Sequence, residues 1–247
     1  MNFNFFGFAF KRTLPSILWH PTIEYATILG MNRGLCIRCL QPSLTCYCKL
    51  LQPFDPKIQF VILIHGREAR RRIATGRLAH LCLQNSLLLQ GYDYSDDKRV
   101  DAILENPSNF SVLLFPGADA KNLSQEEPVK LSVPKGKILT VFVIDGTWIT
   151  ARKTWQRSTN LQKIPKICFN PNRPSRFRVR KQPQANFFST VEAIHETIEL
   201  LGEEQGFPVS SREHDKLLQV FDHLVDQQIE LAKTPKLFCY WRGPKKI

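Results

Sequence analysis

The chain alternates unbroken apolar runs of strand length with polar, cation-rich stretches. Residues 138–144 (ILTVFVI) are apolar at nearly every position and rich in β-branched side chains. A run without polar alternation predicts a strand buried on both faces, as in a parallel sheet. Residues 58–65 (IQFVILIH) repeat the pattern and give the first parallel strand, and residues 111–117 (SVLLFPG) and 167–169 (ICF) add two shorter strands. Between the runs the period changes. From Arg70 to Gly91 apolar positions recur about every 3.6 residues, which predicts a helix with a possible break at Thr75-Gly76. Residues 122–134, polar with two prolines, read as a loop. Ser189-Thr190-Val191-Glu192 is a capping-box pattern opening another helix, with Ser189 as N-cap, and a final amphipathic helix runs from about 210 to 232. Strands alternating with helices predict an α/β fold with a mainly parallel sheet flanked by helices.

The central run ends in Asp145-Gly146-Thr147-Trp148, and helical spacing begins there. An acid, a glycine, a hydroxyl and a large aromatic thus meet where a buried strand hands over to a helix. Ligands in open α/β sheets bind outside the carboxyl ends of strands, and a helix N-terminus offers N–H groups and partial positive charge. The plain alternative makes Asp145 a turn residue, Thr147 an N-cap and Trp148 a core filler. His65 closes the first strand, where a hydrogen-bonded cap is the simplest reading.

Charge changes the picture. The 247 residues carry 34 Lys and Arg against 22 Asp and Glu, a formal net charge of +12. That balance fits a polyanionic partner, nucleic acid before a membrane surface. No apolar stretch is long enough to span a bilayer, and the phenylalanine-rich N-terminus has its charges after the apolar part, the reverse of a signal peptide. Arg67, Arg70, Arg71, Arg72 and Arg77 lie within eleven residues just beyond the first strand. Arg173, Arg176, Arg178, Arg180 and Lys181 fill a second basic stretch between Pro171 and Pro183, with Phe177 among them. A charge run is most often a solvated face. Next to strand ends, these residues are candidates for phosphate contact, with Phe177 for base stacking.

Of seven cysteines, Cys36, Cys39, Cys46 and Cys48 crowd into thirteen positions as C-x2-C-x6-C-x-C. Four thiolates suit a closed tetrahedral zinc site of structural role; an iron–sulfur cluster and four bare thiols are the alternatives. Such cysteine usage fits a reducing compartment, here the cytoplasm. Cys82, Cys168 and Cys239 sit in apolar contexts as packing residues.

Taken together, these residues resemble the DTW-domain family of tRNA-uridine aminocarboxypropyltransferases, relatives of the SPOUT class. The resemblance runs from Cys36 to about Lys233. It rests on the cysteine knuckle, His65 with Glu68 and Thr75-Gly76, the Phe115-Pro116-Gly117 turn, and D-x-T-W at Asp145, Thr147 and Trp148. Two further motifs complete it: Ser175, Phe177, Arg180, Lys181 and Pro183, then Ser189, Thr190, Glu192 and Ala193.

The resemblance implies a SPOUT-like, knotted α/β fold. It implies transfer of the 3-amino-3-carboxypropyl group of S-adenosylmethionine to uridine N3 in tRNA, with methylthioadenosine released. On it, Asp145, Thr147 and Trp148 are the catalytic set. Asp145 would orient or deprotonate N3–H, or bind the cofactor's amino group. Phe115, Pro116 and Gly117 would border the adenosine and Arg180 would clamp the carboxylate, with Ser189 and Glu192 also in the cofactor-binding set, although capping alone accounts for Glu192. Arg70, Arg71, Arg72, Arg176, Phe177, Arg178 and Lys181 would meet RNA. The expected divisions are residues 1–30, an extension with Met31 as an alternative start; 31–55, the zinc knuckle; 56–235, the catalytic domain; and 236–247, a basic tail. No obligate protein partner is expected. The rivals are a SPOUT-type RNA methyltransferase, a non-catalytic zinc-containing RNA-binding protein, and the same chemistry on ribosomal RNA.

Overall fold

The computed structural model describes residues 34–125, 131–179 and 187–233. The extension with Met31, the basic tail, and Arg180 and Lys181 lie outside the described residues. Among the described residues, six strands form one sheet: β1 Gln59–His65, β2 Ser86–Gly91, β3 Asn109–Leu114, β4 Lys121–Asn122, β5 Ile138–Asp145 and β6 Lys166–Cys168. Their order is β2-β1-β5-β3-β6-β4 and every pair is parallel. The helices are α1 Thr75–Cys82, α2 Lys98–Leu104, α3 Trp148–Arg157, α4 Thr190–Leu201 and α5 Asp215–Lys233. None of the described helices is long and apolar enough to cross a membrane. The α/β class and the parallel sheet are as the hydrophobic pattern predicts.

One reading is corrected. The helix expected from 70 to 91 exists only as α1, and Leu87 to Leu89 lie in strand β2. A short run of leucines fits a helical or an extended period equally well. Here the main-chain ladder to β1, from Phe60↔Ser86 to His65↔Gly91, decides it. Because β2 edges the sheet, Leu87 stays exposed on it. Helix α2, capped by Asp97 accepting the Arg99 N–H, and the two-residue β4 were not anticipated.

Strand parity sorts the core into two layers. Phe60 and Ile62 of β1 and Leu139, Val141 and Val143 of β5 pack with α1, α4 and α5. Val61, Leu63, Phe142 and Ile144 point the other way, onto Val100 of α2 and Ala151 and Trp155 of α3. Phe60 and Phe142 are fully buried, each contributing about 1.5–3 kcal/mol relative to exposure. Period two then fixes a functional detail. Asp145 shares the parity of Val143, so its carboxylate faces the α1/α4/α5 layer. Phe115 shares the parity of Leu113 and faces α3. Adjacent strands β1 and β5 are followed by helices on opposite faces, α1 and α3. Such a divergence opens a crevice at the carboxyl ends of the two strands, the usual ligand position in an open parallel sheet.

Candidate active site

Asp145 ends β5 in that crevice and is 5 % exposed. Thr190, the first residue of α4, donates its hydroxyl to Asp145 Oδ1 at 2.5 Å. Thr75, the first residue of α1, brings its hydroxyl to 3.5 Å from the same oxygen, the limit of a hydrogen bond. The next residue, Gly76, packs so closely that a Cβ there would lie 2.6 Å from Asp145 Oδ2. Two helix N-termini therefore close on one carboxylate, and their dipoles favour negative charge there. A third helix starts alongside. Thr147 is the N-cap of α3, its Oγ1 accepting the Thr150 N–H at 3.2 Å. Trp148 follows at 37 % exposure, its ring 4.8 Å from that of Phe187. The core-filler reading of Trp148 does not hold, while the N-cap reading of Thr147 does.

His65 closes β1 as a cap residue: its Nδ1 accepts the Arg67 N–H at 3.3 Å, and its ring meets Tyr92 edge-on at 4.7 Å. Burial, then the neighbouring Arg67 charge, lowers its pKa.

Three site expectations change in the structure. The Phe115 ring stacks on Trp155 at 5.3 Å in the α3 layer, while Pro116 and Gly117 are exposed, with Asp119 and Lys166 next to Gly117. Phe177 is buried, edge-on to Phe221 of α5 at 5.2 Å. A ring in the core cannot stack on a base; it anchors the basic loop instead. Glu192 is fully buried and accepts the Arg176 N–H at 2.7 Å, the Ser175 hydroxyl at 2.8 Å, and the N–H and hydroxyl of Ser189 at 2.9 and 2.6 Å. Its carboxylate and Ser189 are thereby engaged in the capping box and the loop anchor, and capping alone accounts for the pair.

The arginines divide by environment. Arg70, Arg71 and Arg72 are exposed on a tight turn beside α1, with Arg71 Nε 3.2 Å from buried Glu68. Arg77 is buried and its guanidinium donates to the carbonyls of Ala69 and Arg71, fastening that turn from below. Arg176 pairs with Asp222 at 2.7 Å and Arg178 with Asp226, both on α5. These exposed pairs are weak, on the order of 1 kcal/mol or less, so a phosphate could exchange for either carboxylate.

The four clustered cysteines come together as their spacing suggests. Cys36 and Cys48 sulfurs are 3.6 Å apart, as are those of Cys39 and Cys46, and all four lie within 4.8 Å of one another. That is too far for disulfides and suited to a shared metal ion. The knuckle also reaches the arginine turn: buried Gln41 donates its Nε2 to the Arg72 carbonyl at 2.5 Å.

A family model for the DTW domain matches residues 33–229. The chain belongs to the DTW-domain family. It is similar to tRNA-uridine aminocarboxypropyltransferase 2 of Mus musculus, 27% identical over 192 residues, which are 74% of this chain and 60% of the mouse protein. It is similar also to tRNA-uridine aminocarboxypropyltransferase 2 of Drosophila melanogaster, 27% identical over 178 residues, 69% of this chain and 67% of the fly protein. The chain thus spans about three fifths of the mouse relative and two thirds of the fly relative. No solved structure matches it.

In this DTW-domain protein the matched span takes in the knuckle as well as the sheet, and Cys39 and Tyr47 of the knuckle pack in the same core cluster as Phe60 of β1 and Leu78 of α1. The structure brings Asp145 and Thr147 to the crevice with Trp148 beside them. It adds Thr75, Gly76 and Thr190 as contacts of Asp145. Sequence reading had these three as motif members without a role. Strand parity together with the capping box, which fixes Thr190 as the first helical residue, was the signal that could have found one of them.

Proposed function

We propose that this DTW-domain protein transfers the 3-amino-3-carboxypropyl group of S-adenosylmethionine to N3 of a uridine in tRNA. The products are 3-(3-amino-3-carboxypropyl)uridine and methylthioadenosine. The observation that carries the reading is the clasp around Asp145: the acid of the D-x-T-W motif stands at the β1/β5 crevice between the first residues of α1 and α4. Family membership and the names of the mouse and fly relatives supply the reaction. A SPOUT-like, knotted chain path, a cytoplasmic location and the division into knuckle, catalytic domain and basic tail belong to the same proposal.

The residues fit such a donor. The crevice offers the peptide N–H groups of three helix starts for a carboxylate, and one buried acid for an amino group or an N–H. Bound there, S-adenosylmethionine supplies a sulfonium that leaves as a neutral thioether, so the chain needs no acid for the leaving group. Its task is positioning, because whichever carbon is held in line with the nucleophile is the one transferred. Uracil N3–H is weakly acidic, and Asp145 takes or holds that proton. Thr190 and Thr75 fix the carboxylate rotamer. Arg180 and Lys181 are assigned to the cofactor carboxylate and the tRNA backbone on motif position alone. Arg70 to Arg72 meet phosphates.

Zinc is the proposed ion of the knuckle. The 3.6 Å sulfur pairs approach the edge, ~3.8 Å, of a tetrahedron with zinc–sulfur bonds of ~2.3 Å. Burial pushes the Cys39 thiol up to about 11, whereas at Cys36 burial is outweighed by backbone hydrogen bonds from Cys39 and Arg38, which bring the thiol down to about 7; a bound cation would hold all four as thiolates. Its removal should loosen the turn that Gln41 ties down. After chelation, tRNA binding is expected to weaken and its salt slope to fall by roughly one for each lost phosphate contact. An unchanged slope in metal-free protein would detach the knuckle from RNA binding.

The reaction itself is tested by incubating the protein with unmodified tRNA and S-adenosylmethionine and weighing the nucleosides. Aminocarboxypropyluridine supports the reading, a methylated nucleoside moves the protein to the methyltransferase class, and an unmodified but bound tRNA points to a non-catalytic role or a ribosomal RNA substrate.

A further inference from the structure

Away from the Asp145 crevice, α4 and α5 and the loop before α4 enclose a pocket of ≈ 460 Å³. His195 and Glu199, four residues apart on α4, share one helix face. His214 stands just before α5, next to Asp215, and both imidazoles are buried, at 4 % and 0 % exposure. Their ring centroids are 4.6 Å apart. His195, Glu199 and His214 each bring one ligand atom into a group whose members lie within 4.8 Å of one another. His195 Nε2 is 2.8 Å from Asp215 Oδ1, and His214 Nε2 is 2.5 Å from Glu199 Oε2.

Arg173, Arg176 and Arg212 line the pocket, and Arg212 bridges Glu199 and Asp215. Arg212 Nη1 donates to both Glu199 oxygens at 2.7 and 2.8 Å, and its Nε and Nη2 donate to Asp215 at 3.0 and 2.8 Å. Its backbone is in the left-handed region, φ 56, which is uncommon for a residue with a side chain. Yet Arg212 is 49% exposed and satisfies only the carboxylates. The Nδ1 atoms of His195 and His214 are buried with no hydrogen-bond partner. With Nε2–H given to a carboxylate, each Nδ1 presents a lone pair, and the Arg212 donors go to the acids instead.

Two imidazoles and a carboxylate, with i and i+4 spacing on one helix, are the donor set of a zinc-type ion. A ring that ligates through one nitrogen keeps the other for a carboxylate, the usual support of a metal-bound histidine. We propose that His195, Glu199 and His214 form a second site for a divalent transition-metal ion, distinct from the cysteine knuckle. Asp215 supports His195, and Arg212 is the cation that holds the acids when no metal is bound. The ion ties the start of α5 to α4 beneath the basic loop.

The test uses the full chain with zinc or cobalt ions alone. Wild-type protein is expected to bind one more zinc ion than Glu199→Gln or His195→Gln, and cobalt in that site to show visible bands without a thiolate charge-transfer band. Arg212→Ala removes the competing cation and should bind this ion at least about fivefold more tightly. Thiolate-type cobalt absorption retained in the variants shows that their knuckle and fold persist. Equal zinc content in wild type and the folded variants overturns the site, and so does a wild-type cobalt spectrum of thiolate type only, whatever the variants do.

Discussion

Asp145→Asn is expected to lower the rate of transfer roughly 10²- to 10⁴-fold, the range supplied by a positioned base, while circular dichroism and tRNA binding stay as in the wild type. The amide keeps the shape of the carboxylate and an oxygen that can accept from Thr190, but it carries no charge and takes no proton. The clasp predicts a graded companion result. Thr190→Val leaves Asp145 ionisable but removes the 2.5 Å hydroxyl that fixes its rotamer, so activity falls less than in Asp145→Asn. Thr190→Ser restores it. An Asp145→Asn enzyme with wild-type turnover would remove Asp145 from the chemistry. A Thr190→Val rate that Thr190→Ser does not restore would make Thr190 a packing residue only.

The second large effect is on stability. Glu192→Ala is expected to destabilise the fold by about 3–5 kcal/mol, because four donors converge on this buried carboxylate and removal strands them. That is a large share of a typical domain's stability of roughly 5–15 kcal/mol. Urea denaturation of wild type and variant measures it. The loss has a location: the N-terminus of α4 and residues Ser175 and Arg176 of the basic loop separate together. Since Thr190 is the next residue after the N-cap, activity should fail along with stability. A shift below about 1 kcal/mol would mean that the capping box stands without its acid.

Strand parity explains what the sequence made legible. Runs apolar on both faces locate β1 and β5 within a residue or two, because a strand buried on both sides leaves no other reading of so long a stretch. The cysteine knuckle and the α4 cap were equally readable, as each is set by local spacing. Leu87 to Leu89 were misread, since a three-leucine run carries no period of its own and only its ladder to β1 makes it a strand. Phe177 was misassigned because arginines on both sides in sequence do not show which way the ring turns; Phe221, forty-four positions on, decides that. Thr75 and Gly76 meet Asp145 across a separation of about seventy residues, and a contact of that range is written in the fold rather than in any window of sequence.

The same long-range geometry concentrates the chemistry at one place. Asp145 is reached from α1, β5 and α4, so a change in any of them is felt at the carboxylate, whereas the arginines proposed to meet RNA sit on two separate segments and are expected to act additively.

The most direct test of the proposed reaction uses S-adenosylmethionine labelled either in its methyl group or in its aminocarboxypropyl chain, with unmodified tRNA and the full chain. The account predicts that label from the aminocarboxypropyl chain enters tRNA uridine while the methyl label leaves in methylthioadenosine, and that Asp145→Asn slows both together. Methyl label in the tRNA, with the chain label released on S-adenosylhomocysteine, would contradict it.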